Sequence, residues 1–350
     1  MKALALVAVI VISGLDPNLD RRVGEIASRE RLPGFAVALV TKDAVLFQKG
    51  YGWADVEERR PFTPQSLQNV GSISKTFIGV SLMQLAEQNR IRLDDDVNRY
   101  LPFRLANPHF PADIITIRHL ATHTSTLTDT NEYWANDYIL SPFQPAQRAL
   151  ATVDMLRAKN RQMPMAQFIR NILAPDGTWY RKGSFLKKRP GTTFQYSNLG
   201  AAVATYVVER VTGYIGRKIV PRYSGVTYGD GGLITSVEDL SRYLMEMMKG
   251  YRGESTLLRQ DSFKEMMSPG EPKPGTGGYN IFWWLRANGS LGHSGADPGI
   301  AASMFFEPGR NVGAIVFTNS STGDSNKDPA RRQFDDIADT LLGSNPASAN

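Results

Sequence analysis

The segment that constrains this chain most is Phe77–Ala86, in which seven of ten residues are apolar and none is charged or proline. A helix that is apolar on nearly every face belongs in a protein interior. The segment directly follows Gly71-Ser-Ile-Ser-Lys-Thr76, which places Ser72 and Lys75 three residues apart. Residues at that spacing project from the same face of a helix. The sequence therefore predicts a buried helix whose first turn presents a serine and a lysine together.

The N-terminal turn of such a helix stabilises developing negative charge. Its N–H groups have no partner within the helix, and the helix dipole adds a partial positive charge there. We therefore expect Ser72 to act as a nucleophile and Lys75 to help remove its proton. The same Ser-x-x-Lys spacing recurs at Ser184 and Lys187, in a basic loop with no apolar helix behind it. A motif is evidence only in its structural context, and this context favours Ser72.

The composition limits the classes of function. A chain of 350 residues can bury a large core, in one domain or in two intertwined ones. The net charge of +6 is spread along the chain with no basic run interleaved with aromatics. Nucleic-acid binding is therefore not expected, whereas attraction to an anionic cell envelope is compatible with the charge. The absence of cysteine excludes disulfides, thiolate nucleophiles and cysteine metal sites.

The N-terminus resembles a short secretory signal. Lys2 precedes the apolar run Ala3–Ile12, and the small residues Ser13 and Gly14 follow it. Ten residues are too few to span a bilayer. The alternative is a buried first strand left by a wrongly assigned start. We expect residues 1–14 to be a signal segment and the protein to be exported, to the periplasm or outside the cell.

Strand patterns lie at both ends of the sequence and helix patterns in the middle. The predicted strands are Phe35–Thr41, Ala44–Tyr51, Tyr279–Arg286, Ser290–His293, Ala301–Phe306 and Val312–Asn319. The clearest predicted helices are Asp16–Arg31, Pro164–Leu173, Leu199–Val211, Ser236–Lys249 and Pro329–Leu342. The economical arrangement is an α/β (α+β) fold with one antiparallel sheet. Residues 15–78 and 228–343 would form this domain, residues 79–227 a mostly helical domain, and residues 344–350 a disordered tail.

Tyr196 and Asn198 are candidate helpers of the Ser72–Lys75 pair. A serine hydroxyl needs a base, and a lysine serves as one only when its own proton is labile. The phenol oxygen of Tyr196 could shuttle a proton, and the amide of Asn198 could bind Lys75 and a substrate carbonyl. Tyr-x-Asn occurs only once among the thirteen tyrosines, just before a predicted helix. The alternative is an ordinary turn with Asn198 as the helix N-cap.

The segment Gly292–Ala296 follows a predicted strand and supplies a third group of candidates. Its glycines allow a substrate to approach the backbone closely. His293 would donate a hydrogen bond to a substrate or leaving group, and the Ser294 hydroxyl would add another. The N–H groups of Ala296 and Ser72 would form an oxyanion hole. The alternative is a strand end at the surface that happens to carry a histidine.

Together and in this order, the three motifs resemble those of the serine β-lactamase and penicillin-binding protein superfamily. The motifs are Ser72-x-x-Lys75, Tyr196-x-Asn198 and His293-x-Gly295. The closest resemblance is to the branch of class C β-lactamases, D-aminopeptidases and family VIII esterases, which is peptidase S12-like. Supporting segments run from about Leu32 to Asn319: Pro33–Val37, Leu93–Val97, Tyr100–Pro102, Ile117–Ser125, Pro190–Gly191, Gly231–Leu233 and Phe317–Asn319.

The resemblance implies an antiparallel-sheet domain, a helical domain and a covalent acyl-enzyme on Ser72. It implies a serine hydrolase that cleaves an amide or ester: a peptidoglycan-type D-amino-acid peptide, a β-lactam or a small ester. Deacylation would use a water activated by Tyr196 and Lys75. The alternative from another class is a catalytically idle penicillin-recognising fold that serves as a binding module.

The chain departs from the family pattern at two positions. Class C enzymes usually carry Lys-Thr-Gly where this chain has His293-Ser-Gly, so a cation suited to a substrate carboxylate is missing. We expect weak β-lactamase activity, better cleavage of neutral substrates, and a carboxylate preference that grows as pH falls and His293 protonates. Thr126 stands where the family usually has glycine, which would alter a loop beside the site.

The sequence predicts no metal and no cofactor. His119 and His123 are four residues apart on a predicted helix, but the glutamate of a His-Glu-x-x-His zinc motif is missing, and structural roles are expected. His109 likewise has no partner at metal-binding spacing. No glycine-rich phosphate loop or dinucleotide fingerprint is present. The expected partner is a small-molecule or peptide substrate, and the oligomeric state stays open.

Overall fold

The computed structural model of the protein describes residues 16–140, 163–213, 223–268, 277–323 and 327–343. The strands in these ranges are β1 Gly34–Val40, β2 Val45–Asp55, β3 Arg60–Pro61, β4 Gln68–Asn69, β5 Tyr138–Leu140, β6 Tyr223–Gly225, β7 Ile234–Thr235, β8 Gly278–Asn280, β9 Trp283–Leu285, β10 Leu291–Asp297, β11 Ile300–Glu307 and β12 Val312–Thr318. The helices are α1 Leu19–Ala27, α2 Ser74–Glu87, α3 Ile117–Ala121, α4 Asn131–Asp137, α5 Met165–Leu173, α6 Asn198–Thr212, α7 Tyr228–Gly231, α8 Val237–Tyr251, α9 Gln260–Met267 and α10 Pro329–Gly343. The predicted signal segment and C-terminal tail lie outside the described residues.

Eight strands form one antiparallel sheet in the order β3-β2-β1-β12-β11-β10-β9-β8. Strand β1 from the N-terminal part pairs with β12 from the C-terminal part, with Phe35 opposite Thr318 and Val40 opposite Gly313. The predicted sheet built from both ends of the chain is therefore confirmed, as is the α/β fold class. The division into two domains stays a prediction.

Strand β1 is buried on both faces and separates two hydrophobic cores. Ala36, Ala38 and Val40 belong to the larger core, which includes α2 and the middle of the chain. Phe35, Val37 and Leu39 point the other way, into a smaller core with the terminal helices α1 and α10. This alternation follows from the two-residue period of a strand. A continuous apolar strand is what a sheet covered on both faces requires.

Helix α2 lies in the larger core, as its apolar sequence predicts. Buried apolar residues such as Ile78, Leu82 and Leu85 occur on successive turns, and even Lys75 in its first turn is inaccessible to solvent. A short 3-10 turn, Gly71–Ile73, precedes the helix and carries Ser72. The sequence therefore places a nucleophile candidate where a buried helix meets the end of the sheet.

Several helices have capping residues at their ends. The Thr116 hydroxyl accepts a hydrogen bond from the His119 N–H at 3.1 Å and begins α3. The Ser236 hydroxyl accepts one from the Asp239 N–H at 3.0 Å and begins α8. Gly213 adopts a left-handed conformation, with φ of 74°, and ends α6. These caps satisfy backbone groups that the helices leave unpaired.

The predicted strand Tyr279–Arg286 is wrong as a single element. The structure has β8 and β9 instead, separated by Ile281 and by Phe282, whose φ is 56°. The N–H of Phe282 donates to the carbonyl of Ala121 at 3.0 Å, outside the sheet. Because every residue of the segment is compatible with a strand, the sequence does not reveal this break.

In the basic loop around the second Ser-x-x-Lys motif, the serine and the lysine lie in different environments. Ser184 is fully buried in a 3-10 turn, Lys182–Ser184, whereas Lys187 is exposed. The two side chains therefore do not form a pair, and the loop is not simply solvated. Among the described residues, no helix has both the length and the apolar content that crossing a membrane requires.

Candidate active site

Ser72 lies in a turn that is anchored on both sides. The Gly71 N–H donates to the Asn69 side-chain oxygen at 2.5 Å, and the Ser74 hydroxyl donates to the Gly71 carbonyl at 2.7 Å. Ser74 in turn accepts a hydrogen bond from the Leu233 N–H at 3.0 Å. These contacts tie the turn to the β4–β7 pair, in which Asn69 lies opposite Ile234. The position of the Ser72 hydroxyl is thus fixed by its neighbours.

Lys75 donates three hydrogen bonds from one ammonium group. Its Nζ is 3.0 Å from Ser72 Oγ, 2.7 Å from Asn198 Oδ1 and 2.5 Å from the Asp230 carbonyl oxygen. An ammonium has three donors and no acceptor, so all of its hydrogen-bonding capacity is used. The structure therefore brings together Ser72, Lys75 and Asn198, which are far apart in sequence.

The protonation of Lys75 follows from the groups that surround it. Burial by itself lowers the pKa of Lys75, but Tyr196 and the Asp230 and Asp129 carboxyl groups outweigh that effect, so the pKa is raised. The three oxygen acceptors of its hydrogen bonds also favour the charged form. Lys75 is therefore an ammonium in the free protein.

Asn198 is the first residue of α6, and Ser197 is its cap. The Ser197 hydroxyl accepts a hydrogen bond from the Gly200 N–H at 3.0 Å, so the alternative in which Asn198 is the N-cap does not hold. The Asn198 side chain is thereby free to reach Lys75. Asp129 completes this helix start, since its carboxylate accepts the N–H groups of Asn198 and Leu199 at 2.9 Å each.

Tyr196 lies beside the ammonium of Lys75. The Lys75 Nζ is 5.2 Å from the centroid of the Tyr196 ring. On its other side the ring packs against His123, with centroids 4.3 Å apart. The second predicted motif is therefore next to the first, with its phenol between a cation and an imidazole.

The third motif approaches Ser72 through its backbone. A Cβ at Gly295 would lie 1.9 Å from the Val70 carbonyl oxygen and 2.9 Å from Ser72 N, so only glycine fits. A Cβ at Gly71 would lie 2.8 Å from Ala296 N. The backbones of the serine turn and of β10 are thus in contact, as an oxyanion hole shared by Ser72 and Ala296 requires. The motif lies inside strand β10. The prediction that the strand ends within this motif is therefore wrong.

The sequence predicts that His293 faces the cleft, but in the structure it does not. Its side chain is buried, and its Nε2 lies 2.9 Å from the Tyr279 hydroxyl. Burial, followed by the Lys75 charge, lowers the pKa of His293 to about 3. The expectation that His293 protonates under mildly acidic conditions and attracts carboxylates is therefore wrong. Ser294, next to it, is partly exposed on the opposite face of the strand.

A small cleft opens in front of Ser72. The lining residues are Asn69, Ser72, Tyr133, Trp134, Asp137, Asn198, Tyr228, Asp230, Gly231, Gly232, Ala296 and Asp297. Among these described lining residues, three are aspartates and none is lysine, arginine or histidine.

Two of those aspartates share a buried network that sequence analysis missed. The Tyr133 hydroxyl donates to Asp230 Oδ2 at 2.8 Å, and the Thr227 hydroxyl donates to Asp137 Oδ1 at 2.7 Å. Burial raises the pKa of both aspartates, and for Asp230 the nearby Lys75 opposes that rise. No sequence motif marks these residues, because they come from α4, α7 and the loop before α7.

Thr126 has the conformation that the family's glycine would adopt. Its φ is 72°, a left-handed value that is unfavourable for a β-branched residue. The Thr126 hydroxyl accepts a hydrogen bond from the Asn107 amide at 2.9 Å, which holds it in place. The loop therefore keeps the glycine-like backbone despite the substitution.

Two of the remaining histidines have structural surroundings. His119 belongs to the cap of α3, and His123 is buried next to Tyr196. Within the described parts of the chain, no three His, Cys, Asp or Glu side chains are grouped as metal ligands.

A family model for beta-lactamase matches residues 19–222 and 214–338, nearly the whole chain. The chain belongs to the β-lactamase family. Protein flp of Staphylococcus aureus (strain N315) is 22% identical over 318 residues, which cover 86% of this chain and 62% of that protein. The chain thus spans less than two thirds of the length of this relative.

Solved structures agree with this assignment at the level of the fold. The octameric penicillin-binding protein homologue from Pyrococcus abyssi has a TM-score of 0.68 and 21% identity, covering 95% of this chain and 78% of its own. The D-amino acid amidase from Ochrobactrum anthropi SV3 has a TM-score of 0.66 and 16% identity, and the match covers 93% of this chain and 99% of the amidase. EstCE1, a hydrolase with promiscuous acyltransferase activity, has a TM-score of 0.66 and 19% identity, and the match covers 94% of this chain and 99% of EstCE1.

Proposed function

We propose that this protein is a serine hydrolase that forms an acyl-enzyme on Ser72 with small esters or amides. The observation that carries this proposal is the Lys75 ammonium, which donates at once to Ser72 Oγ, Asn198 Oδ1 and the Asp230 carbonyl. A buried cation bonded to a serine oxygen stabilises the alkoxide that forms when the serine loses its proton. A lysine with a purely structural role would not need a hydrogen bond to a serine that lines an open cleft.

Because Lys75 is charged and has no free acceptor, we assign the base role to Tyr196. The phenolate form of Tyr196 accepts the Ser72 proton as Oγ attacks the substrate carbonyl carbon. The resulting phenol gives that proton to the leaving group as the bond between that group and the carbonyl carbon breaks. The N–H groups of Ser72 and Ala296 stabilise the oxyanion. A water then attacks the acyl carbonyl and gives its proton to Tyr196. As the ester bond breaks, Tyr196 returns this proton to the Ser72 oxygen, so the acid is released and both the serine and the phenolate are restored.

The charge of the cleft supports substrates without a carboxylate beside the scissile bond. No described lining residue is a cation, and His293 supplies none to replace the lysine of class C enzymes. Neutral esters and amino-acid amides with a free amine fit this cleft better. The fold neighbours include a D-amino acid amidase in complex with D-phenylalanine, and this supports D-amino-acid amides as one candidate class.

A matched substrate panel tests this proposal. We expect kcat/KM for p-nitrophenyl butyrate or a D-amino-acid amide to exceed that for nitrocefin and D-Ala-D-Ala peptides by at least about tenfold, since a charge-assisted contact to a carboxylate is missing. The reverse order would contradict the proposed substrate class. Binding of these compounds without turnover or acylation would instead indicate the idle binding module.

Export is a separate proposal that rests on the N-terminal sequence alone. Lys2 and the apolar run Ala3–Ile12 have the order of a short secretory signal. Neutral esters, D-amino-acid amides and peptides are all compatible with an envelope location. The net charge of +6 would favour association with an anionic surface there.

A further inference from the structure

Three side chains form a hydrogen-bonded chain that the proposed reaction does not use. The Tyr279 hydroxyl lies 3.1 Å from His123 Nε2 and 2.9 Å from His293 Nε2. Both imidazoles are almost inaccessible to solvent, with 1% and 2% exposure. The outer nitrogens of the two rings contact backbone: the Ser197 N–H donates to His123 Nδ1 at 3.2 Å, and His293 Nδ1 is 2.5 Å from the Ser294 carbonyl.

The two ends determine where each proton lies. A backbone N–H can only donate, so His123 Nδ1 carries no proton and a neutral His123 is protonated at Nε2. A carbonyl can only accept, so His293 is protonated at Nδ1 and its Nε2 is an acceptor. Tyr279 therefore accepts from His123 and donates to His293. The two ends independently give the same order of donors and acceptors, and every polar side-chain atom of these three residues has a hydrogen-bond partner.

The same ends exclude a proton relay. Passing a proton along the chain would require a new proton on His123 Nδ1, and the amide of Ser197 cannot supply one at neutral pH. The chain is therefore a fixed, uncharged structure. It encloses Tyr196, whose ring centroid lies 4.3 Å from that of His123, 6.2 Å from that of Tyr279 and 6.3 Å from that of His293.

We propose that Tyr279 is a positioning residue that holds His123 and His293 in opposite neutral tautomers. Among the described residues, Lys75 is then the single cation beside Tyr196, and His293 provides no cation on β10 that could bind a substrate carboxylate. This inference rests on the proposed function, and it explains why a histidine at this position does not substitute for a lysine. The hydroxyl of Tyr279 occupies the nitrogen of His293 through which a charged ring would otherwise bind an anion.

Two cations and three titratable side chains face His293. Lys75 on α2 and Arg286 after β9 are cations, and both lower the pKa of His293 after burial, whereas the Ser294 carbonyl raises it. Tyr279 on β8 has a pKa raised well above its usual value, first by burial. Burial, with Lys75 and His293 next, lowers the pKa of His123. Tyr196 is the remaining titratable neighbour.

The first test uses the unmodified protein. Long-range proton–nitrogen NMR on histidine-labelled protein resolves the tautomers of its four histidines. We expect His293 protonated at Nδ1, His123 protonated at Nε2, and neither ring titrating between about pH 5 and pH 8. Identical tautomers for the two rings, or a His293 that titrates in this range, would overturn the inference. This measurement requires neither catalysis nor a variant.

The second test removes the central hydroxyl. In Tyr279→Phe, His293 Nε2 loses its donor, so its neutral form is less favoured and its titration midpoint is expected to rise by about one pH unit. Tyr243→Phe is the matched control, because the Tyr243 hydroxyl makes one hydrogen bond, to Thr76, and contacts no imidazole. That control should leave both tautomers unchanged. An unchanged His293 in Tyr279→Phe would contradict the positioning role.

The kinetic consequence concerns substrate choice. In the wild type, the ratio of kcat/KM for p-nitrophenyl hemisuccinate to kcat/KM for p-nitrophenyl butyrate should not change with pH as it would if a histidine titrated. In Tyr279→Phe, with the His293 midpoint raised from about 3 to about 4, the ratio should move toward the hemisuccinate by about twofold as pH falls from 7 to 5. A ratio unaffected by the substitution would refute the specificity claim. If Ser72 is not acylated while NMR gives the expected tautomers, the proposed function fails and the proton order of the chain stands.

Discussion

Replacing Lys75 with methionine is expected to lower kcat/KM for a neutral ester by more than ~10²-fold, the magnitude typical of losing a group that assists proton transfer or stabilises an oxyanion. Methionine keeps most of the buried volume while removing the charge and all three donors. Ser72 then loses the cation that favours its alkoxide. Asn198 Oδ1 and the Asp230 carbonyl also lose their shared donor. The measurement is the acylation rate, taken from the burst of p-nitrophenol.

The buried position of Lys75 determines the controls. Because Lys75 is inaccessible to solvent, an alanine would leave a cavity and mix packing with chemistry. Lys187→Met is the matched control, since Lys187 ends the second Ser-x-x-Lys motif but is exposed. We expect it to retain wild-type acylation. If Lys75→Met folds, as its circular dichroism and thermal transition report, and still acylates at a near-normal rate, Lys75 is not part of the mechanism.

Removing the Tyr196 hydroxyl is expected to lower acylation by more than ~10²-fold without a comparable loss of stability. In Tyr196→Phe the ring keeps its contact with His123, so the packing around the site is preserved. The free energy of unfolding should change by no more than about 1 kcal/mol, the usual net value of one hydrogen bond. Acylation rates and urea unfolding curves measure the two effects separately.

The control for this substitution is Tyr243→Phe, in which a second hydroxyl beside α2 is lost at a distance from the imidazoles. Its acylation rate should match the wild type. Near-normal turnover by Tyr196→Phe would remove the tyrosine from the mechanism. The base would then have to be found elsewhere, although the charged state of Lys75 argues against that lysine.

Much of the fold was predictable because its signals are local. The unbroken apolar runs of α2 and β1 indicate by themselves that both elements are buried. The cap at Ser236 needs only residues in the same turn. The pairing of β1 with β12 is long-range, yet it follows from having strand patterns at both ends of one chain. Ser72 and Lys75 lie together because residues three apart project from the same face of a helix.

The surroundings of the site were not predictable, because they depend on which segments the fold brings together. Asp129 is distant in sequence from the α6 start that its carboxylate stabilises. The Asp230 group that binds Lys75 is a backbone carbonyl, which every residue has. Histidine at position 293 looks like a titratable donor until Tyr279 and the burial of its ring are known. Ser184 shows the same limit, since a buried serine lies in a segment rich in basic residues.

The continuation of β10 through the third motif has a similar explanation. Gly292, Ser294 and Gly295 are residues that weaken a strand, so the sequence suggested an end there. In the sheet, β10 is flanked by β9 and β11, and its pairing with β11 runs from Leu291 to Asp297. The glycine at 295 is required by the approach of Val70 and Ser72, so the residue that weakens the local pattern is the one that lets the site form.

The central claim is that Ser72 is the nucleophile, and covalent labelling tests it most directly. Wild-type protein treated with an alkyl fluorophosphonate should gain one adduct in its intact mass, and peptide mapping should place that adduct on Ser72. Ser184→Ala should label fully, because the Ser184 side chain is buried and away from the cleft lining. Ser72→Ala should show no adduct. An adduct that survives in Ser72→Ala, or that is lost in Ser184→Ala, would contradict the assignment of Ser72 as the reactive serine.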